Sequence, residues 1–114
     1  MAITATIVNG EGINRVSTGT YIQSSTAAAY DVNCGFTPKY VKVFNETSGD
    51  QIEWNENMAD AEGFKRITAG TGSLVTSNGI TPIAANDGTE MGFTIGLDTD
   101  INVSNEQVSW LAIG

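Results

Sequence analysis

The chain has 114 residues, of which 13 are acidic, 5 are basic and none is histidine, for a formal net charge of −8 and a pI near 4.1. That length fits one domain around one core, and that charge repels phosphate backbones and anionic headgroups, so neither nucleic acid nor a membrane surface is expected as a partner. Only 16% of residues are charged, below the roughly 25% of ordinary soluble domains, and leucine occurs only at Leu74, Leu97 and Leu111, which leaves little from which to build an amphipathic helix.

In chain order, Ile3, Ala5 and Ile7 alternate with Thr4 and Thr6 ahead of Asn9-Gly10 and Gly12, the pattern of a half-buried strand and a turn. Val16 to Ile22 is a second strand, rich in Thr and Tyr. Thr26 to Cys34 is a third, with Tyr30, Val32 and Cys34 on one face and Asp31 and Asn33 on the other. Lys39 to Phe44 has the strongest strand character, with Val41 and Val43 opposing Tyr40, Lys42 and Phe44. Ser48-Gly49-Asp50 then turns the chain into a hairpin partner over Gln51 to Glu56, where Ile52 and Trp54 share a face.

Asn57 to Glu62 is the one stretch that suits a helical turn, with Gly63 closing it. Phe64 to Ala69 and Ser73 to Ser77 form short strands around Gly70-Thr71-Gly72, and Asn78-Gly79 reads as a further turn before Ile80 to Ala84. Asn86-Asp87-Gly88 leads into Glu90 to Gly96, where Met91, Phe93 and Ile95 alternate with Gly92 and Thr94. An acidic loop over Leu97 to Asp100 precedes the last strand, Val108 to Ile113. Eight to ten short antiparallel strands with at most one helical turn predict a single all-β domain over residues 1–114, of β-sandwich or jelly-roll type.

The absence of histidine removes the Ser-His-Asp and Cys-His mechanisms together with the side chain that titrates near neutral pH. No pair of the thirteen acids is singled out by spacing as a glycosidase pair. No enzymatic activity is expected. Cys34 is the single cysteine, so it has no disulfide partner in its own chain and no companion for a zinc site, and it reads as a small core side chain. Neither a catalytic residue, a cofactor nor a metal is expected.

Asp98-Thr99-Asp100-Ile101-Asn102 matches the opening of a calcium loop, but the sixth and twelfth positions hold Val103 and Ser109 where an EF-hand needs Gly and Glu, so it reads as a solvated acidic turn. Gly70-Thr71-Gly72 lacks the Lys and the helix of a phosphate loop. Asn45-Glu46-Thr47 and Asn102-Val103-Ser104 match glycosylation sequons, with nothing to indicate secretion through a eukaryotic pathway. Met1 to Val8 has neither the basic start nor the long apolar stretch of a signal peptide, and no apolar run approaches membrane-spanning length. The cations do not gather in sequence: Lys39 and Lys42 flank one apolar run, Lys65 and Arg66 lie near another, and Arg15 stands alone. Aromatic anchors for a partner are Tyr40, Phe44 and Trp54; the last reads equally as a core residue or, set among Glu53, Asn55 and Glu56, as one on an exposed edge, whereas Trp110 reads as core.

The run Gly35-Phe36-Thr37-Pro38-Lys39-Tyr40-Val41-Lys42-Val43-Phe44-Asn45, then Trp54 and Met58-Ala59-Asp60-Ala61, resembles small virion proteins of tailed bacteriophages. Ile67 to Thr71 and Val75 to Pro82 continue the likeness. The close, Gly92 to Gly96, Asp98, Ile101-Asn102 and Val108 to Ala112, resembles the ends of phage tail-fibre and lectin-like modules. The resemblance covers about residues 35–113 and implies a β-sandwich virion protein, often homotrimeric, made in the host cytoplasm and carried on the capsid surface as a decoration or cement subunit. Its expected partners are the major capsid protein and its own copies. The alternative is a tail-fibre or receptor-binding module that meets a host-surface saccharide through Tyr40, Trp54 and the loop bearing Asp98, Asp100 and Asn102. A third reading is a tail or neck component that polymerises through a free apolar edge at Val108 to Ile113.

Overall fold

The structure, a computed structural model, describes residues 15–84 and 91–114. The described residues form eight strands: β1 (Val16–Ile22), β2 (Tyr30–Asn33), β3 (Tyr40–Asn45), β4 (Gln51–Asn55), β5 (Glu62–Arg66), β6 (Gly72–Ile83), β7 (Gly92–Ile95) and β8 (Gln107–Ile113). All pairings are antiparallel, in one sheet of order β1-β8-β3-β4-β5-β6-β7-β2. The all-β class and the strand count agree with the sequence, and the described residues hold no helix. The sandwich-like layering comes from one curled sheet whose two halves face each other. Phe93 on β7 meets Trp110 on β8 edge-on at 6.4 Å, although four strands separate β7 and β8 along the sheet.

Alternation places the core. In β3 and β4 every second residue, Val41, Val43, Ile52 and Trp54, is buried, because successive side chains of a strand point to opposite faces. Val32, Phe36, Ile80, Phe93, Ile95, Ile101, Val108 and Ala112 complete the cluster. Each buried side chain of this size stabilises the fold by roughly 1.5–3 kcal/mol. Trp110 lies flat against β1 directly opposite Gly19, where a Cβ would sit 2.2 Å from its ring, so the close approach requires glycine.

Four expectations are corrected. The stretch from Asn57 to Glu62 forms turns instead of a helical turn, because Ala61 takes a positive φ of 66° and Glu62 already pairs in β5. Asn78-Gly79 does not end a strand. Gly63 pairs with Val75 while its neighbour Glu62 pairs with Ile80, so the intervening residues form a bulge within β6, with Asn78 at φ 58°. A Cβ on Gly79 would lie 2.2 Å from the Glu62 carbonyl oxygen, which fixes glycine there. The third strand is confined to Tyr30–Asn33.

The fourth correction removes an edge. β8 pairs with β1 on one side and β3 on the other, so the apolar run from Val108 to Ile113 is interior to the sheet and cannot polymerise by strand addition. The strand expected over Ile3 to Ile7, the turn at Asn9-Gly10 and the turn at Asn86-Asp87-Gly88 lie outside the described residues.

Candidate functional site

The side chains with the richest polar chemistry meet at one end of the sheet, where the segment between β7 and β8 folds back over the seam between the edge strands β1 and β2. Asn102 is its centre and is only 1% exposed. Its Oδ1 accepts hydrogen bonds from Tyr21 Oη at 2.8 Å and from Gln23 Nε2, and its Nδ2 donates to the carbonyls of Ala28, Gly96 and Ile95 at 3.1, 3.1 and 3.3 Å. One amide thereby ties together the end of β1, the approach to β2 and the end of β7. The rings of Tyr21 and Tyr30 stack across the same seam at 3.8 Å. Burial, followed by the neighbouring Tyr30, pushes the Tyr21 phenol well above its ordinary value, so it stays a donor.

Asn45, fully buried at the end of β3, does the same work on the other side. Its Oδ1 accepts from the backbone N–H of Thr47 and Ser48, both at 2.9 Å, which shapes the turn into β4. Its Nδ2 donates to the Ile101 carbonyl and to Glu106 Oε1, each at 2.9 Å. Both sequon asparagines are therefore enclosed and hydrogen-bonded, which removes their amides from modification in the folded chain.

The acidic loop carries a cation of its own. Lys65 Nζ lies 3.1 Å from Asp98 and 2.8 Å from Asp100, and Asp98 also accepts the Asp100 backbone N–H at 2.8 Å. Asp98 is nearly buried while Asp100 remains partly exposed. Burial alone pulls the Lys65 ammonium down, and hydrogen bonds to Asp100 and Asp98 more than offset it, so it is held above its ordinary value. The two carboxylates that resembled a calcium loop thus already share an ammonium. Among the described residues, no group of three or more His, Cys, Asp or Glu side chains is placed to hold a metal ion.

Beside this loop lies an open groove of about 260 Å³ lined by Ala27, Leu97, Thr99, Val103 and Ser104 together with Asp98 and Asn102. The six candidate residues do not converge on it. Asp98 and Asn102 line the groove, but their polar atoms are engaged internally, and Asp100 faces Lys65. Trp54 is 3% exposed, with its Nε1–H donating to the Ala59 carbonyl at 3.1 Å, so its indole cannot reach a partner. The polar neighbours that suggested an edge belong to the opposite face of β4 and the following turn.

Tyr40 and Phe44 project from the outer face of β3, the face turned away from the core. Tyr40 Oη donates to Glu53 Oε2 at 2.8 Å. Its phenol is pushed up to about 12 by burial first and then by that hydrogen bond and the charge of Glu53. The registers align further outward residues beside them: Val16–Ile113–Tyr40–Asn55 in one lateral row, Thr18–Leu111–Lys42–Glu53–Phe64–Leu74 in the next, and Thr20–Ser109–Phe44–Gln51–Arg66–Gly72 in the third. Val16, Leu74, Phe64 and Ile113 are exposed at 59, 57, 40 and 40%. The sequence gives no sign of this patch, because its members come from six strands and only the register makes them neighbours. It also unites Lys42 and Arg66, which sequence separation keeps apart.

No protein-family model matches the chain. Comparison with curated proteins and with solved structures finds no match either.

Proposed function

We propose that the chain is a non-enzymatic structural protein of a tailed-bacteriophage virion, a decoration or cement subunit that joins neighbouring surfaces of the head, with the major capsid protein and its own copies as partners. The observation that carries this reading is the contrast between the two faces of the sheet. Among the described residues no buried side-chain polar atom lacks a hydrogen-bond partner, so the inward polar groups are committed to holding the fold. The outward face carries large apolar side chains in adjacent rows, the kind of surface that marks a protein contact. The resemblance over residues 35–113 supplies the setting.

Removing the protein from particles should lower their resistance to heat or osmotic shock, and the particle should hold hundreds of copies. Unchanged resistance of stripped particles would sink the cement role. The tail-fibre alternative has lost Trp54, and what favours it is the groove beside Leu97 and Thr99. Specific retention on a glycan array, lost on filling the groove with Ser104→Trp, would move the assignment to receptor binding.

A further inference from the structure

The central lateral row of the outer face is complementary to its own reverse, with apolar ends and the two central charges exchanged. From β8 to β5 it runs Leu111, Lys42, Glu53, Phe64, that is apolar, cation, anion, apolar. We propose that this face is a self-docking surface, on which a second copy of the chain packs its own outer face about a twofold axis running along the strands between β3 and β4. This inference goes beyond the virion reading and does not depend on it.

Twofold symmetry requires a surface complementary to itself, in which residue i meets residue j and j meets i. An axis between β3 and β4 lays Lys42 over Glu53 of the second copy and Glu53 over its Lys42, while Leu111 and Phe64 exchange contacts in the same way. In the flanking rows Tyr40 meets Asn55, Phe44 meets Gln51, and the guanidinium of Arg66 meets the Ser109 hydroxyl. No like charges are opposed anywhere in the three rows.

Three observations favour a second copy as the occupant. Lys42 has no ion-pair partner among the described residues although Glu53 is its direct cross-strand neighbour, and the one recorded hydrogen bond of the Glu53 carboxylate, from Tyr40, goes to Oε2 alone. Among the described residues, neither the Lys42 ammonium nor Glu53 Oε1 therefore has a hydrogen-bond or ion-pair partner. The chain carries 13 acids against 5 bases, so copies repel one another over most of their surface, yet these rows hold Lys42 and Arg66 against Glu53 alone. Finally, the flanking apolar residues come from strands on either side of the axis, Leu111 and Ile113 from β8 and Phe64 from β5, so both halves of the face would be covered.

The contact is small. Four strands about 4.8 Å apart, each presenting about 14 Å of its length, give a patch below the standard interface size, so association is weak and concentration-dependent. Two opposed charge pairs fix the register, and reversing one residue places like charges together twice per dimer.

Equilibrium sedimentation of the full chain from roughly 1 μM to 1 mM tests the proposal. Wild type should fit a monomer–dimer equilibrium. Lys42→Glu and Glu53→Lys should each weaken association by about tenfold or more, while an equimolar mixture of the two variants should dimerise as wild type does, because every opposed pair is then Glu with Lys. Thermal melts at dilute concentration report whether each variant is folded. A wild type that stays monomeric throughout, a trimeric stoichiometry, undiminished association of Lys42→Glu, or a mixture no tighter than its components would each overturn the twofold face. The measurement uses no particles, so its outcome is separate from that of the virion reading.

Discussion

The two faces of strand β3 make different use of the same six residues. Inward, Val41 and Val43 vanish into the core and Asn45 commits both ends of its amide to neighbouring loops. Outward, Tyr40, Lys42 and Phe44 remain partly accessible, and the ammonium of Lys42 has no ion-pair partner among the described residues. Polar groups facing inward are consumed in holding the seam and the loop, while on the outer face the Lys42 ammonium keeps capacity for another molecule. A mutation inside should therefore act on stability, and one outside on association. That separation can be broken by experiment.

The largest effect is expected at Asn102. Replacing it with Ala leaves Tyr21, Gln23 and the carbonyls of Ala28, Ile95 and Gly96 without their shared partner. Each buried group left unsatisfied costs about 1–3 kcal/mol, and water can recover part of that, so a net loss of about 3 kcal/mol is expected. Urea denaturation should show a lower midpoint. A loss below about 0.5 kcal/mol, the scale of an ordinary surface change, would mean that the seam is held by other contacts.

Alkaline pH should produce a smaller effect. Lys65 and Tyr40 both have folded values above their unfolded ones, near 10.5 and 10.0. The stability that each contributes is fully present below the unfolded value and lost as pH rises through the folded value. For Tyr40 that window runs from about 10 to about 12, where ionisation also removes the proton donated to Glu53. The urea midpoint should thus hold steady from pH 7 to 9 and fall between 10 and 12. In Lys65→Met, which lacks one of the two groups, the midpoint should start lower and fall less steeply.

Much of the fold was legible because alternation is a local signal. Val16–Ile22 was located to the residue from its β-forming residues, and β3, β4, β7 and β8 to within one or two residues at either end, helped by alternation in β3, β4 and β7. Asn78-Gly79 misled because the dipeptide that favours a hairpin turn also suits a bulge, and only the pairing with β5 distinguishes the two. The order of strands was hidden as well, so β8 looked like an edge when β1 and β3 flank it.

The site was less legible than the fold. Trp54 stood open between core and edge in the sequence because the polar residues around it occupy the other face of β4 and the next turn. The calcium-like spacing of Asp98, Asp100 and Asn102 was real, but its cation comes from Lys65, 33 residues before Asp98. The roles of Asn45 and Asn102 had no signal beyond sequons that pointed elsewhere. The outer patch depends on register across six strands, a long-range property that a local pattern cannot carry.

The smallest expected effect on stability is also the most decisive for the account. Leu111 sits in the middle of the outer face with its side chain turned away from the core, so Leu111→Asp should change stability by less than about 1 kcal/mol. Sedimentation velocity at a concentration where the wild type is largely dimeric tests the division between the faces most directly. The account predicts that the folded variant sediments as a monomer, and a folded variant that still sediments as wild-type dimer would contradict it.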